Sequence, residues 1–172
     1  MKIARPEKSE YQAYFERYVV KVGDEDILAV LADQIDTVVR LFGNLSIEKQ
    51  HYRYAPDKWT VLEVLGHMLD TERVFGFRAL CFARGDKTPL PSFDEGLYVS
   101  QAGHNDCALE QLLEEFVYTR RSHILMFDHL KADAWLNVGV ASSNPTSVRA
   151  LAFIMVGHIR HHLEILASRY GC

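Results

Sequence analysis

Apolar residues recur at three- and four-residue steps over much of the chain, which is the pattern of helices that bury one face. The first clear stripe extends from Ile27 to Phe42 and is followed by a glycine, a residue that often ends helices. A second helix is predicted to begin at Thr60, because Thr60 and Glu63 have the spacing of a capping box, and to continue to about Gly85. The pattern therefore predicts two long amphipathic helices in the first half of the chain.

Two further helices are predicted in the second half of the chain. The third spans about residues 107–130, where leucine, isoleucine and phenylalanine supply an apolar face. The fourth is predicted to begin with Asn144 as its N-cap and Pro145 in its first turn, and to end at Tyr170. A weaker helical segment over residues 11–20 is expected to pack across one end of the bundle. No run shows strand alternation, so we predict an all-α protein built on four main helices.

The segment from Lys87 to Asn105 separates the second predicted helix from the third. It carries two prolines and two glycines and has no sustained period, which predicts a long connection. Long ordered loops are often functional. Substrate contacts are therefore expected in this connection, with Phe93, Tyr98 and His104 as candidates.

Length and charge narrow the class of protein. A chain of 172 residues with 48% hydrophobic composition has the size of one domain, and we expect residues 1–172 to form it. The 19 basic and 23 acidic residues give a formal charge of -4, without the basic excess that nucleic-acid binding requires. The N-terminus has no signal-peptide pattern, and no stretch reaches the roughly 20 apolar residues of a membrane span. We therefore expect a cytoplasmic protein that binds neither nucleic acid nor membrane.

The three cysteines, Cys81, Cys107 and Cys172, are odd in number and widely spaced. This arrangement fits neither a disulfide framework nor a CxxC metal site, so all three are expected to be reduced and structural. The alternative is a reactive thiol at Cys81 or Cys107, although no residue nearby in sequence would activate either of them.

The candidate chemistry lies with the histidines. His158 and His162 are four residues apart in the fourth predicted helix, so both project from one face, about 6 Å apart along the axis. Apolar neighbours would turn that face toward the core, where a neutral imidazole needs a partner and a cation can serve as one. His67 lies among apolar residues of the second helix and is also expected to face inward. The three histidines are therefore predicted to hold one divalent transition-metal ion, with open positions for water or substrate.

Several alternatives stay open at this point. An HxxxH pair on a helix also fits one hydrogen-bonded and one exposed histidine. His161 could replace either ligand of the fourth helix, although its side chain points about 100° away from that of His162. Glu63 and Asp70 flank His67 and could orient its imidazole or act as a base, but helix capping by Glu63 and pairing of Asp70 with an arginine is the preferred interpretation. A structural role is likewise preferred for Glu164, near His162, and surface or capping positions are expected for His51, His104, His123 and His129.

Longer motifs resemble a known family. The chain resembles the DinB-like, or YfiT-like, metal-dependent proteins, a family related to bacterial thiol transferases, in KWTVLEVLGHMLDTERVFGFRALCFARGD, KTPLPSFDEGLYV, LEEFVYTRR and SVRALAFIMVGHIRHHLEIL. The resemblance covers nearly the whole chain. It implies an up-and-down four-helix bundle with a three-histidine site, in which the ligands would be His67 in VLGHMLD, His158 in VGHIR and His162 in RHHLEIL.

The resemblance also implies a function. Members of the family are described with nickel or zinc and are commonly homodimers, and the ion would lower the pKa of a water or a thiol. The protein would then be a hydrolase, or an S-transferase that uses a low-molecular-weight thiol such as bacillithiol, acting on a small-molecule substrate. Two other classes stay open, because a fold does not determine a function: a non-catalytic protein that binds metal or a small ligand, and a structural protein whose histidines belong to the core.

Overall fold

The computed structural model describes residues 2–172 of the chain. Its bundle consists of four long helices: α2 (Ile27–Phe42), α4 (Val61–Ala83), α6 (Leu109–Asp128) and α7 (Val148–Ile165). Three short helices accompany them: α1 (Glu16–Val19), α3 (Ile47–Gln50) and α5 (Glu95–Ala102). A π-helical turn, Leu166–Tyr170, extends α7. The prediction of an all-α four-helix bundle is confirmed.

Local sequence signals set the beginning of the helix that carries the first predicted ligand. The Thr60 hydroxyl accepts a hydrogen bond from the backbone nitrogen of Glu63 at 3.1 Å, and the Glu63 carboxylate accepts one from the backbone nitrogen of Thr60 at 2.7 Å. This reciprocal pair satisfies two of the free N–H groups at the helix start. The predicted capping box and the predicted start of α4 are both confirmed.

Two apolar clusters fix the directions of the four helices. One cluster joins the starts of α2 and α7 to the ends of α4 and α6, and the other joins the ends of α2 and α7 to the starts of α4 and α6. Along the chain the helices therefore run up, down, down and up, so the direction does not alternate at every connection as simple up-and-down order would require. Because α4 and α6 are parallel, the connection over residues 84–108 must return along the bundle.

A small hairpin precedes α7. Strand β1 (Val138–Ala141) pairs with antiparallel strand β2 (Asn144–Ser147) through a two-residue turn. The prediction that the fourth helix begins at Asn144 is therefore wrong: Ser147 is the N-cap of α7, and its hydroxyl accepts a hydrogen bond from the Ala150 nitrogen at 3.0 Å. Each strand is only four residues long, too short for its alternation to be distinguished in the sequence.

The long connection is partly helical, which the sequence interpretation missed. It contains α5 and a 3-10 turn, His104–Asp106. The start of α5 is capped by Asp94, whose carboxylate accepts a hydrogen bond from the Leu97 nitrogen at 2.9 Å. Val99 is the one buried residue of α5, so this helix lacks the apolar stripe by which the longer helices were found.

The helical segment predicted for residues 11–20 is present as a 3-10 turn, Ala13–Phe15, followed by α1. It packs along α7 and not across an end of the bundle. Gly157 allows this approach, because a Cβ atom at that position would lie 2.1 Å from the carbonyl oxygen of Tyr18. As a result the ring of Tyr18 lies beside that of His158, with 5.3 Å between their centroids.

Two other sequence predictions concern membrane spans, of which none was expected, and the cysteines, which were expected to be reduced. Over residues 2–172, every helix is too short or too polar to cross a membrane. The three cysteines are half-buried and none is in a disulfide bond.

Candidate metal centre

Three buried histidines from α4 and α7 meet in the half of the bundle where α4 begins and α7 ends. The Nε2 atom of His158 lies 3.0 Å from Nε2 of His67 and 3.0 Å from Nε2 of His162. One ring nitrogen from each of the three lies within 4.8 Å of the other two. The structure therefore brings together the three histidines that the sequence singled out, and we call them the histidine triad.

Aromatic side chains surround the triad and limit the rotation of its rings. Trp59 lies against His67, with 4.8 Å between the ring centroids. Tyr18 and Phe75 approach His158 edge-on, at centroid distances of 5.3 Å and 6.4 Å. These contacts hold the imidazoles with their Nε2 atoms close together.

Burial keeps the triad neutral. It lowers the pKa of His67 to about 4, and the nearby His104 and His161 add to this effect. Burial also holds the pKa values of His158 and His162 well below the ordinary value for histidine, and the neighbouring histidines push in the same direction. At neutral pH all three imidazoles are therefore uncharged, the form in which histidine binds a metal.

The donor set and its spacing suit a divalent transition metal. Metal–nitrogen bonds of about 2.0–2.1 Å at tetrahedral angles place two ligand nitrogens roughly 3.3 Å apart. The two Nε2–Nε2 distances of 3.0 Å are close to this value. Across residues 2–172, the triad is the one group with metal-ligand spacing, and no carboxylate belongs to it.

The alternative ligand His161 and the carboxylates of Glu63 and Asp70, which could have oriented His67 or acted as a base, lie outside the triad. His161 is half-buried and packs on the ring of Tyr18, with 5.4 Å between centroids. Glu63 caps α4, as described above. Asp70 pairs with Arg73 at 3.3 Å, so the preferred interpretation of both carboxylates is confirmed.

The expectation that His104 and His123 lie at surface or capping positions is wrong. His104 is buried against Gly66, where a Cβ atom would lie 2.1 Å from the imidazole, and His123 packs on Gly76 with a corresponding distance of 2.0 Å. Glycine is unfavourable inside a helix, so two glycines within α4 signal the close approach of another group. This signal was present in the sequence.

A second group of buried polar side chains lies in the middle of the bundle and was not predicted. Arg120 is fully buried and donates hydrogen bonds to Glu72 at 2.8 Å and to the side-chain oxygen of Gln34 at 3.0 Å. Gln34 in turn donates to the carbonyl oxygen of Val156 at 2.9 Å, and Nδ1 of His123 lies 2.9 Å from Glu72. This ion-pair cluster, Gln34, Glu72, Arg120 and His123, contacts all four long helices.

The ion-pair cluster keeps its carboxylate charged. Burial alone would raise the pKa of Glu72, but the Arg120 guanidinium and the hydrogen bond with His123 hold it below the ordinary value. The negative charge of Glu72 and the positive charge of Arg120 therefore compensate each other inside the core.

Two cavities border the histidine triad. The first, of about 340 Å³, adjoins His67 and His158, and its wall includes Tyr18, Thr71, Phe75, Arg78, Ser92 and Phe93. The second, of about 360 Å³, adjoins His162 and includes Trp59 and Tyr170 in its wall. Of the three residues expected to contact substrate, Phe93 lines the first cavity, whereas Tyr98 and His104 line neither of the two.

Comparison with known proteins agrees with the fold. The chain is similar to YfiT from Bacillus subtilis, whose structure is described as that of a probable metal-dependent hydrolase with an unusual four-helix bundle topology. The two share 14% sequence identity with a TM-score of 0.71, over 98% of this chain and 94% of the other. No curated protein sequence matches the chain. The family model of the DinB superfamily matches residues 31–166. The chain therefore belongs to the DinB superfamily.

Proposed function

We propose that the chain is a metal-dependent enzyme that holds one divalent transition-metal ion, nickel or zinc, with His67, His158 and His162. The observation that carries the proposal is the meeting of three buried, neutral imidazoles with their Nε2 atoms directed at one another. The space beside them is large enough for a small substrate. The description of YfiT as a probable metal-dependent hydrolase supports the same proposal.

A divalent ion supplies Lewis acidity when bound, and lowers the pKa of a water or thiol placed at an open position. The residues of the chain prepare the site for this chemistry. The three histidines of the triad carry no negative charge, so they would not neutralise the charge of a bound divalent ion. The remaining positive charge would favour an anionic nucleophile. Trp59 and Phe75 pack against the imidazoles and lower the polarity around them, which strengthens electrostatic interactions at the site.

Hydrolysis of a small-molecule substrate is the simplest reaction for such a site. Transfer of a low-molecular-weight thiol is the second candidate, and one observation favours it. Separate cavities adjoin the triad on the side of His67 and His158 and on the side of His162. A transferase must bring two substrates together at one centre, whereas a hydrolase needs space for one substrate and a water.

We also propose that residues 1–172 form one domain and that the protein is a homodimer, as the family resemblance implies. Sedimentation velocity measures the assembly state: a mass of twice the 19.7 kDa chain is expected. A monomer at all concentrations tested would contradict the dimer and leave the metal centre unaffected.

The reaction is tested with protein loaded with nickel or zinc and offered ester and amide substrates, or electrophiles together with a panel of thiols. A hydrolase releases product without thiol, whereas a transferase shows a rate that rises with thiol concentration. His67→Ala should abolish either rate, and the matched control His161→Ala, on a neighbouring half-buried imidazole, should retain it. The absence of any metal-dependent rate would contradict an enzyme and favour a protein that binds metal or a small ligand without turnover.

A further inference from the structure

Arg78 is a buried cation in the wall of the cavity that adjoins His67 and His158. Its side chain is 3% exposed, and it lines the cavity together with Thr71 and Phe75 of the same helix. Over residues 2–172, no carboxylate forms an ion pair with its guanidinium. The positive charge of Arg78 is therefore not compensated by the chain.

Neutral groups hold the guanidinium in place. Its Nη2 atom donates hydrogen bonds to the carbonyl oxygen of Pro91 at 2.7 Å and to the hydroxyl of Ser142 at 3.2 Å. The rings of Phe75 and Phe93 lie beside the guanidinium, each with its centroid 5.7 Å from Cζ of Arg78. The described part of the chain provides no acceptor for Nη1 or Nε, so these donors are available to a ligand.

The two segments that hold Arg78 are joined to each other. The Leu90 nitrogen donates to the carbonyl oxygen of Val140 at 2.8 Å, and the Ser142 nitrogen donates to the carbonyl oxygen of Leu90 at 3.1 Å. Ser142 has a φ of 52°, a conformation that is uncommon for residues other than glycine. Such strain persists only where surrounding contacts impose it. The hairpin turn and the connection thus form a rigid frame around the guanidinium.

The contrast with Arg120 shows why this arrangement requires a further partner. Arg120 is also buried, and it pairs with Glu72. A buried charge that lacks an opposite charge is strongly unfavourable, and bonds to neutral oxygens offset only part of its desolvation. The acidic residue in the wall of the cavity is Glu95, which is exposed in the first turn of α5 and does not pair with Arg78.

We infer that the substrate of this site carries a carboxylate, which Arg78 binds while the reacting group of the substrate lies at the histidine triad. Arginine binds carboxylates with two parallel hydrogen bonds, which fixes orientation as well as position. The inference rests on the proposed function and specifies its substrate class.

The helix geometry indicates the length of this substrate. His67, Thr71, Phe75 and Arg78 follow one another at steps of four, four and three residues, so they lie along one face of α4. His67 and Arg78 are about 16 Å apart along the axis, and the separation of their functional groups is smaller because the longer arginine side chain leans farther back toward the helix start than the imidazole does. Thr71 lies between them and lines the same cavity.

Calorimetric titration of metal-free protein with hexanoate and with hexanamide tests the inference. The two probes have the same length and differ in charge, and removal of metal prevents the carboxylate from binding at the triad. We expect hexanoate to bind at least tenfold more tightly than hexanamide, and Arg78→Gln to remove this difference. Arg84→Gln, an exposed arginine at the end of the same helix, is the matched control and should leave both affinities unchanged.

Glu95 provides a second arm of the test. Its negative charge opposes an anion in the cavity, so Glu95→Gln should strengthen hexanoate binding and leave hexanamide binding unchanged. Equal affinity of the unmodified protein for the two probes, including no binding of either, would overturn the inference even if Arg78→Gln does not fold. Unchanged hexanoate binding by a folded Arg78→Gln protein would overturn it as well. Because no metal is present, these outcomes are independent of the metal-dependent rate that tests the proposed function.

Discussion

The ion-pair cluster and the histidine triad are both groups of polar side chains in the core, but their polar atoms are satisfied in different ways. In the cluster, Glu72 receives a hydrogen bond from Arg120, and an opposite charge lies within the same group. In the triad, three neutral ring nitrogens of one chemical type are directed at one another. The first group contains both of its opposite charges, whereas the second group suits a cation from solution.

On the proposed function, this difference distinguishes a structural group from a functional one. Buried polar groups are normally satisfied within the protein, and the cluster follows this rule except at Nε of Arg120, which has no hydrogen-bond partner. Its other hydrogen bonds connect all four long helices. Three facing imidazoles can share only a few protons, so their lone pairs gain most from a shared ion. Burial alone therefore does not identify a site, and the chemistry of the facing atoms is needed as well.

The largest effect on stability is expected from breaking the ion-pair cluster. Arg120→Met leaves the buried Glu72 carboxylate without its opposite charge, and the free energy of unfolding should fall by about 3–5 kcal/mol. Urea unfolding measures this loss. The matched control is Arg73→Met, which removes surface ion pairs with Asp70 and Glu115 and should cost no more than about 1 kcal/mol. A loss below that level for Arg120→Met would mean that the cluster is not a structural element.

Metal should stabilise the protein through the triad alone. Nickel or zinc at a hundredfold excess over its dissociation constant should raise the free energy of unfolding by roughly 3 kcal/mol. His162→Ala should remove this increase because it deletes a ligand, whereas Arg120→Met should retain it despite its lower starting stability. Thermal unfolding with and without metal makes the comparison. An equal increase in His162→Ala would place the bound metal elsewhere on the chain.

The pH dependence of the metal-free protein should report the neutral state of the triad. Since burial lowers the pKa of His67 to about 4 from the ordinary 6.5, the stability that it contributes is fully present above pH 6.5. This contribution is lost as the pH falls from 6.5 toward 4, because the unfolded chain takes up the proton first. From His67 alone the loss between pH 7 and pH 5 is on the order of 1–2 kcal/mol. Unfolding measured across this range should show a smaller slope for His67→Gln, and an unchanged slope would contradict the burial argument.

The smallest effect on stability is expected from the N-cap of α4, the helix that carries His67 of the triad and Glu72 of the ion-pair cluster. Thr60→Ala removes the capping hydroxyl of α4, which also donates a hydrogen bond to Asn105 at 2.6 Å, and should lower the free energy of unfolding by about 1–2 kcal/mol. Thr37→Ala is the matched control, because that threonine is half-buried within α2 and its hydroxyl bonds only to the carbonyl oxygen of Asp33. Chemical unfolding of the two variants measures the difference, and equal losses would contradict a special role for the cap.

The sequence predicted those features that depend on local signals. The capping box at Thr60 placed the start of α4 correctly, and the four-residue spacing of His158 and His162 placed both on one buried face. The start of α7 was predicted wrongly, because Asn144 followed by Pro145 has the local pattern of a helix start and the pairing with β1 that excludes it is a contact between strands.

The ion-pair cluster could not be predicted for a different reason. A single charged residue within an apolar stripe, such as Glu72 or Arg120, has the same sequence pattern whether it is exposed or paired across helices. Glu72 and Arg120 are 48 residues apart in the chain, and only the parallel packing of α4 and α6 brings them together. The glycines at positions 66 and 76 were the signal that close contacts lie on this helix, but they do not identify which residues make them.

Metal content measured by mass spectrometry after loading and gel filtration tests the central claim most directly. The unmodified protein and His161→Ala should each retain about one nickel or zinc ion per chain, and the double variant His67→Ala, His162→Ala should retain none. The same stoichiometry in the double variant, or no retained metal in the unmodified protein, would contradict the assignment of the triad as the metal centre.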